Sequence, residues 1–186
     1  MAAPFGRPRT PPREVCPVPP GVRGGHGTGS KRDAYDPGVI YLLRHGEAEP
    51  RGGGVDDALR QLTTKGERQA EAAGRALAAL GVRVDTCLTS PKVRAADTAR
   101  LAAAAIGVEP EVAAELSEGP FDSIDLAVGR GETLLVGHEP DFSNEIARLT
   151  GANTKLRKGG LAIVDGNILV ALLRPDELVA VASSAS

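Results

Sequence analysis

Arg44 and His45 stand where the apolar run "VIYLLR" (39–44) gives way to "HGEAEP". A second histidine, His138, closes a similar run, "ETLLVGH" (132–138), in a chain with only three histidines. Both imidazoles thus follow a β-type apolar segment, and in open α/β sheets ligands bind at the carboxyl ends of strands. Arg94 belongs with them by geometry. Ser90 as N-cap and Pro91 at the first helical position would place Arg94 about one turn into a helix, and helical side chains lean toward the N-terminus. Arg44, His45, Arg94 and His138 could then surround one small anion. Arginine suits a phosphoryl group because its planar fork donates two hydrogen bonds and stays charged.

Other chemistries find less support in the residues. The acids near the histidines, Glu47, Glu49, Glu139 and Asp141, form neither an HExxH pattern nor a carboxylate cage, so no metal set is visible. Gly52–Gly54 lacks the Lys-Ser/Thr that completes a nucleotide P-loop, and no G-x-S-x-G elbow occurs. A histidine nucleophile flanked by arginines and a second histidine remains. Phosphoryl transfer asks mainly for positioning and electrostatic stabilisation, which this set supplies.

The elements that must position these residues follow from the apolar pattern. Short Val/Ile/Leu runs alternate with segments of helical period from residue 38 onward, the pattern of α/β layering. Residues 39–44, 84–90 and 132–138 read as strands. Residues 64–80 read as a helix with Ala70, Ala73, Leu77 and Leu80 on one face and a capping box from Thr64 to Glu67. "PKVRAADTARLAAAAIG" reads as a second helix ending at Gly107, and a third runs from about Pro140 to Leu149, ending at Gly151. Residues 109–116 read as a short extended piece. Residues 160–175 split at Asp165-Gly166-Asn167 into a β-hairpin. The expected fold is α/β, a mostly parallel sheet with helices on both faces, closed by an antiparallel hairpin.

Composition bounds the rest. The 186 residues, 41% of them hydrophobic, fit one domain with one core. Residues 1–37 hold eight of the 14 prolines and six of the 23 glycines, without apolar periodicity. They read as a disordered, basic extension of +3 ahead of a domain, 38–186, of −5. No basic stripe for nucleic acid, no membrane span and no signal peptide is evident. Only Cys16 and Cys87 occur, with no metal-type spacing, and Cys87 lies in a core-like run. A cytoplasmic setting is expected.

Four ordered segments carry a resemblance to a known family. "LLRHGEAE" resembles the RHG signature of the histidine phosphatase superfamily, "LTSPKVRAADTA" its S-P-x-x-R-A-x-x-T segment, and "LLVGHEPDFS" its second-histidine segment. "DALRQLTTKGERQA" is similar to the D-x-x-R-P-L-T-x-x-G stretch of the SixA-like phosphohistidine phosphatases, with Gln61 in place of the proline. The match spans about residues 38–175.

The resemblance implies a three-layer α/β/α sandwich and a two-step reaction with no metal or other cofactor. His45 would take the phosphoryl group, and Arg44, Arg94 and His138 would bind its oxygens. The mutase branch carries an asparagine after RHG and a large insertion bearing a general acid. This chain has neither, leaving Glu115 and Glu118 as the candidate proton donors. The resemblance therefore points to a phosphohistidine-bearing signalling protein as substrate, with an open pocket. A small-molecule phosphomonoesterase and a weakly catalytic phosphate- or phosphoprotein-binding module are the other readings.

Overall fold

Strict alternation along "VIYLLR" divides the core in two, because successive side chains of a strand point to opposite faces. Tyr41 and Leu43 enter one buried cluster and Ile40 and Leu42 another. In the computed structural model, which describes residues 37–184 apart from 53 and 55, this segment is β1 (Val39–Arg44), an inner strand of a six-stranded sheet. The other strands are β2 (Thr86–Thr89), β3 (Pro110–Val112), β4 (Thr133–Gly137), β5 (Leu161–Asp165) and β6 (Ile168–Leu173). Their order is β3-β2-β4-β1-β5-β6. The first four are mutually parallel, whereas β5 runs antiparallel to β1 and to β6. The expected mostly parallel sheet with a closing hairpin is present, and Gly166, at φ +56°, makes its turn.

Helices α1 (Thr64–Ala79), α2 (Val93–Ile106) and α5 (Pro175–Ser184) contribute to the cluster containing Tyr41 and Leu43. Helices α3 (Ser123–Ala127) and α4 (Asp141–Thr150) contribute to the opposite one, with Phe142 and Ile146 fully buried there. The result is the three-layer sandwich. Each fully buried leucine of β1 and β4 contributes roughly 1.5–3 kcal/mol. Alanines on α1 and α2 bring those helices close: a Cβ on Gly74 would collide with the Ala102 carbonyl.

Several local expectations are corrected. The cap of α1 is Thr63, not Thr64, and its hydroxyl accepts from the Gly66 N–H with no reciprocal glutamate. The reason is tertiary: the Glu47 carbonyl receives the Thr63 N–H at 2.9 Å and so sets where the helix begins. Leu80 is 50% exposed at the helix end instead of joining the core face. Helix α2 begins at Val93 with Lys92 at its N-cap position, two residues later than the sequence suggests, although Gly107 ends it in the left-handed conformation as expected. Helices α3 and α5 were not anticipated. The former is five residues inside a Gly/Pro/Asp connection, and the latter buries only Leu178 and Ala182. The N-terminal extension lies outside the described residues except for Pro37.

Candidate active site

Strand register brings the two histidines together. Arg44 pairs with Gly137 across β1 and β4, so His45 and His138 are the next residues beyond two adjacent parallel strands. Their ring centroids lie 5.1 Å apart, tilted by 55°. The backbone continues the ladder by one bond, from the His45 N–H to the Gly137 carbonyl at 3.0 Å. Just past β1, Gly46 and Glu47 cross the first turn of α1. A Cβ on Gly46 would strike the Gly66 carbonyl, and one on Gly66 the Glu47 carbonyl. Both glycines are needed for that approach, which turns the chain sharply after His45.

The turn decides the state of His45. Its Nδ1 lies 2.7 Å from the Gly46 carbonyl oxygen. A carbonyl only accepts, so Nδ1 carries the proton and Nε2 keeps its lone pair. His45 is 6% exposed, and burial pushes its pKa down to about 3. The Gly46 bond opposes that shift, while Arg94, Arg44 and Lys158 reinforce it. Thr98 secures the loop: its hydroxyl accepts from the Gly46 N–H at 3.0 Å and donates to the Arg94 carbonyl at 2.7 Å.

His138 is similarly held. Burial, then the cost of a second cation beside the His45 ring and the positive potential of Arg94 and Lys92, pushes its pKa to about 3 against the pull of Asp57. Its Nε2 is 2.8 Å from the Ser90 hydroxyl, and its Nδ1 is buried with no partner among the described residues. Ser90 thus faces the His138 imidazole instead of capping α2, although its oxygen also receives the Lys92 N–H at 3.3 Å.

The two arginines arrive from different elements. Arg44, at the end of β1, donates through Nη1 to the Leu156 carbonyl at 2.8 Å. Arg94, in the first turn of α2 and 3% exposed, donates from Nη1 to the Asp57 carbonyl (2.6 Å) and from Nη2 to the Asp57 carboxylate (3.0 Å). The Nε of each arginine is buried and has no partner among the described residues. Asp57 also accepts from Arg60 at 2.9 Å and Arg51 at 3.0 Å. Although desolvation acts the other way, Arg94, Arg60 and Arg51 hold its carboxyl down to about 2. It stays ionised and keeps the Arg94 fork oriented.

Arg44, His45, Arg94 and His138 line one cavity of about 310 Å³, joined by Arg60 and Lys158. Glu49 and Glu139 are the acids on its wall, and Glu139 is engaged by the Ser143 hydroxyl and the Leu156 N–H. An anion entering this space would meet guanidinium and ammonium groups on one side and two neutral imidazoles at its base. Neither proposed proton donor is on the wall of this cavity. Glu115 is exposed on the 3-10 turn Ala114–Leu116, and Glu118 is paired with Lys92 at 2.6 Å beside an adjoining cavity.

Sequence reasoning assembled the quartet but gave no role to Asp57, Arg60, Thr98 or Lys158. Asp57 and Arg60 lie in the "DALR" segment already noted, and Thr98 ends the "SPKVRAADT" segment, so a signal existed for those three. Lys158 had none; the loop carrying it reaches the cavity only through folding.

Comparison with known proteins agrees with this geometry. Residues 40–128 match the model of the histidine phosphatase superfamily (branch 1). An uncharacterized protein of Picosynechococcus is 35% identical over 134 residues, covering 66% of this chain and 81% of that one. Among solved structures, a protein assigned as the phosphohistidine phosphatase SixA of Agrobacterium tumefaciens is 25% identical with a TM-score of 0.69, over 75% of this chain and 99% of that one. An assigned alpha-ribazole-5'-P phosphatase of Escherichia coli, 24% identical with a TM-score of 0.59 over 74% and 98% of the two chains, shares the fold. Such membership supports phosphatase activity. With the ordered motifs converging on one cavity, the chain belongs to the histidine phosphatase superfamily, in its SixA-like branch.

Proposed function

We propose that the protein is a phosphatase that works through a covalent phosphohistidine on His45 and that its substrate is phosphohistidine on a protein. The observation that carries this reading is the bond from His45 Nδ1–H to the Gly46 carbonyl, which leaves the Nε2 lone pair available beside two arginines. Nε2 attacks phosphorus, the bond to the leaving group breaks, and the leaving group takes that electron pair. The phosphorylated ring keeps its Nδ1 proton and is cationic, so the Gly46 carbonyl stabilises it. Water then attacks phosphorus, releases inorganic phosphate and returns neutral His45. Arg44 and Arg94 hold the phosphoryl oxygens through both steps, each keeping a buried Nε donor with no partner among the described residues.

The leaving group argues for the substrate class. An alkoxide needs a proton on departure, yet neither Glu115 nor Glu118 lines the cavity, and the exposed Glu118 carboxylate pairs with Lys92. Phosphohistidine protonated on its other ring nitrogen departs as neutral imidazole and needs no proton from the enzyme.

The test combines a substrate panel with trapping. Wild-type protein should release phosphate from an aryl phosphate in EDTA, and acid quenching should trap labelled enzyme. His45→Asn should lower turnover by about 10⁴-fold or more. Full activity in that variant would remove the nucleophile, and a requirement for added metal would remove the mechanism. Relative kcat/KM over phosphohistidine protein, sugar phosphates and nucleotides decides the substrate class. Preference for a sugar phosphate or nucleotide would turn the reading to a small-molecule phosphomonoesterase. Phosphate binding without turnover would leave a binding module.

A further inference from the structure

The cations of this protein fall into two populations. On most of the surface they are neutralised locally: Lys65 with Glu47, Arg75 with Glu71, Arg83 with Asp85, Arg100 with Asp97 and Arg130 with Glu111. Lys155, Arg157, Lys158 and Arg174 are all exposed and, like Arg68 on α1, have no carboxylate within ion-pair distance among the described residues. These four are clustered. Lys158 is on the wall of the phosphoryl cavity, while Lys155, Arg157 and Arg174 line a separate cavity of about 480 Å³.

The backbone links that patch to the site. Leu156, between Lys155 and Arg157, is 1% exposed. Its N–H donates to Glu139 at 3.0 Å and to Ser143 at 3.2 Å, and its carbonyl receives Arg44. The flanking side chains are therefore presented outward from a pinned residue that also orients a phosphoryl-binding arginine. Leu172, 39% exposed, adds apolar surface between the cations. Glu177 is the acid on this wall, its carboxylate receiving the backbone N–H of Arg174, and Asp176 joins Arg157 and Arg174 on an adjoining cavity.

We infer that Lys155, Arg157 and Arg174 form a docking surface for an acidic protein domain whose phosphorylated side chain enters the neighbouring cavity. This rests on the phosphoprotein reading above and adds the chemistry of the partner. Unpaired cations beside a site raise the encounter rate with a surface of opposite charge, and Leu172 gives such a partner an apolar contact. Nucleic acid fits less well, because no aromatic side chain lines the cavity to stack a base. These cations, without ion pairs among the described residues, lie in a domain whose residues 38–186 carry −5 overall.

The test is the triple variant Lys155→Glu, Arg157→Glu, Arg174→Glu in the full chain, leaving Lys158 and the cavity intact. On an acidic phosphohistidine domain, kcat/KM should fall about tenfold or more and lose most of its salt dependence, with aryl phosphate turnover unchanged. Equal losses on both substrates, or no loss on the protein, would overturn the docking surface. So would tighter binding of a DNA oligonucleotide or an anionic lipid vesicle than of the acidic domain. Should wild-type enzyme cleave aryl phosphate but no phosphohistidine protein, the substrate reading fails by itself. Docking is then judged by whether the unphosphorylated acidic domain binds wild type and not the triple variant.

Discussion

Arg94 and Arg157 are the same side chain in opposite circumstances. The first is buried, forked onto Asp57 through two hydrogen bonds and placed on the cavity with both histidines. The second is exposed, with no carboxylate partner among the described residues. Charge that must act on a transferring phosphoryl group has to be oriented in advance, because reorganisation during the step forfeits the stabilisation. Charge that attracts a partner needs only to be exposed and uncompensated. Partnership, more than residue type, separates a cation suited to hold a phosphoryl group from one suited to attract a partner.

Arg94→Lys tests the oriented member most severely. An ammonium keeps the charge but loses the fork, so kcat/KM for aryl phosphate should fall on the order of 10²–10³-fold. Retention of wild-type kinetics by the lysine variant would mean that net charge alone suffices and the contrast dissolves.

Acid stability comes next. The histidines at the cavity base have pKa values near 3, whereas unfolded histidine titrates at about 6.5. Their contribution to folding is complete above pH 6.5 and is lost as pH falls toward 3, because the unfolded chain takes up protons first. The loss is up to about 1.4 kcal/mol per pH unit for each histidine. Urea midpoints at pH 7 and pH 5 should therefore diverge strongly in wild type and less in His138→Gln. An equal pH dependence in both proteins would count against a neutral His138. Asp57 acts in a lower window, its contribution being lost as pH falls from about 4 toward 2.

Asp57→Asn asks how much the brace matters. The main-chain carbonyl still receives Arg94, but the charge that holds three arginines is gone, and KM for aryl phosphate should rise on the order of tenfold with a smaller fall in kcat. Recovery with Asp57→Glu, seen in KM, would separate positioning from a general loss of structure. The smallest effect is expected in the exposed region: the triple charge reversal should change aryl phosphate kinetics by less than about twofold, since exposed rim charges act on encounter with a large partner.

Much of the site could be read along the chain because its signals are local. Strand β1 matches the expected bounds, and Gly107 and Gly151 end α2 and α4 in the left-handed conformation. What escaped depended on distant partners. Thr63 caps α1 because the Glu47 carbonyl positions it, Ser90 faces His138, and α5 is short, with two buried residues packed into the core beside α1. Glu115 and Glu118 show the reverse case. Their residue type allows a proton donor, and the fold leaves both exposed and off the cavity wall, with Glu118 beside Lys92.

Sequence alone determined the α/β alternation, the order of the motifs and the identity of Arg44, His45, Arg94 and His138, since hydrophobic period and motif spacing are properties of neighbouring residues. Tertiary structure decided which imidazole nitrogen carries the proton, which carbonyl and carboxylate orient each arginine, and which cations remain unpaired. Those depend on contacts between segments many residues apart, such as Arg94 with Asp57 and Arg44 with Leu156, which exist only once the sheet and its helices have closed.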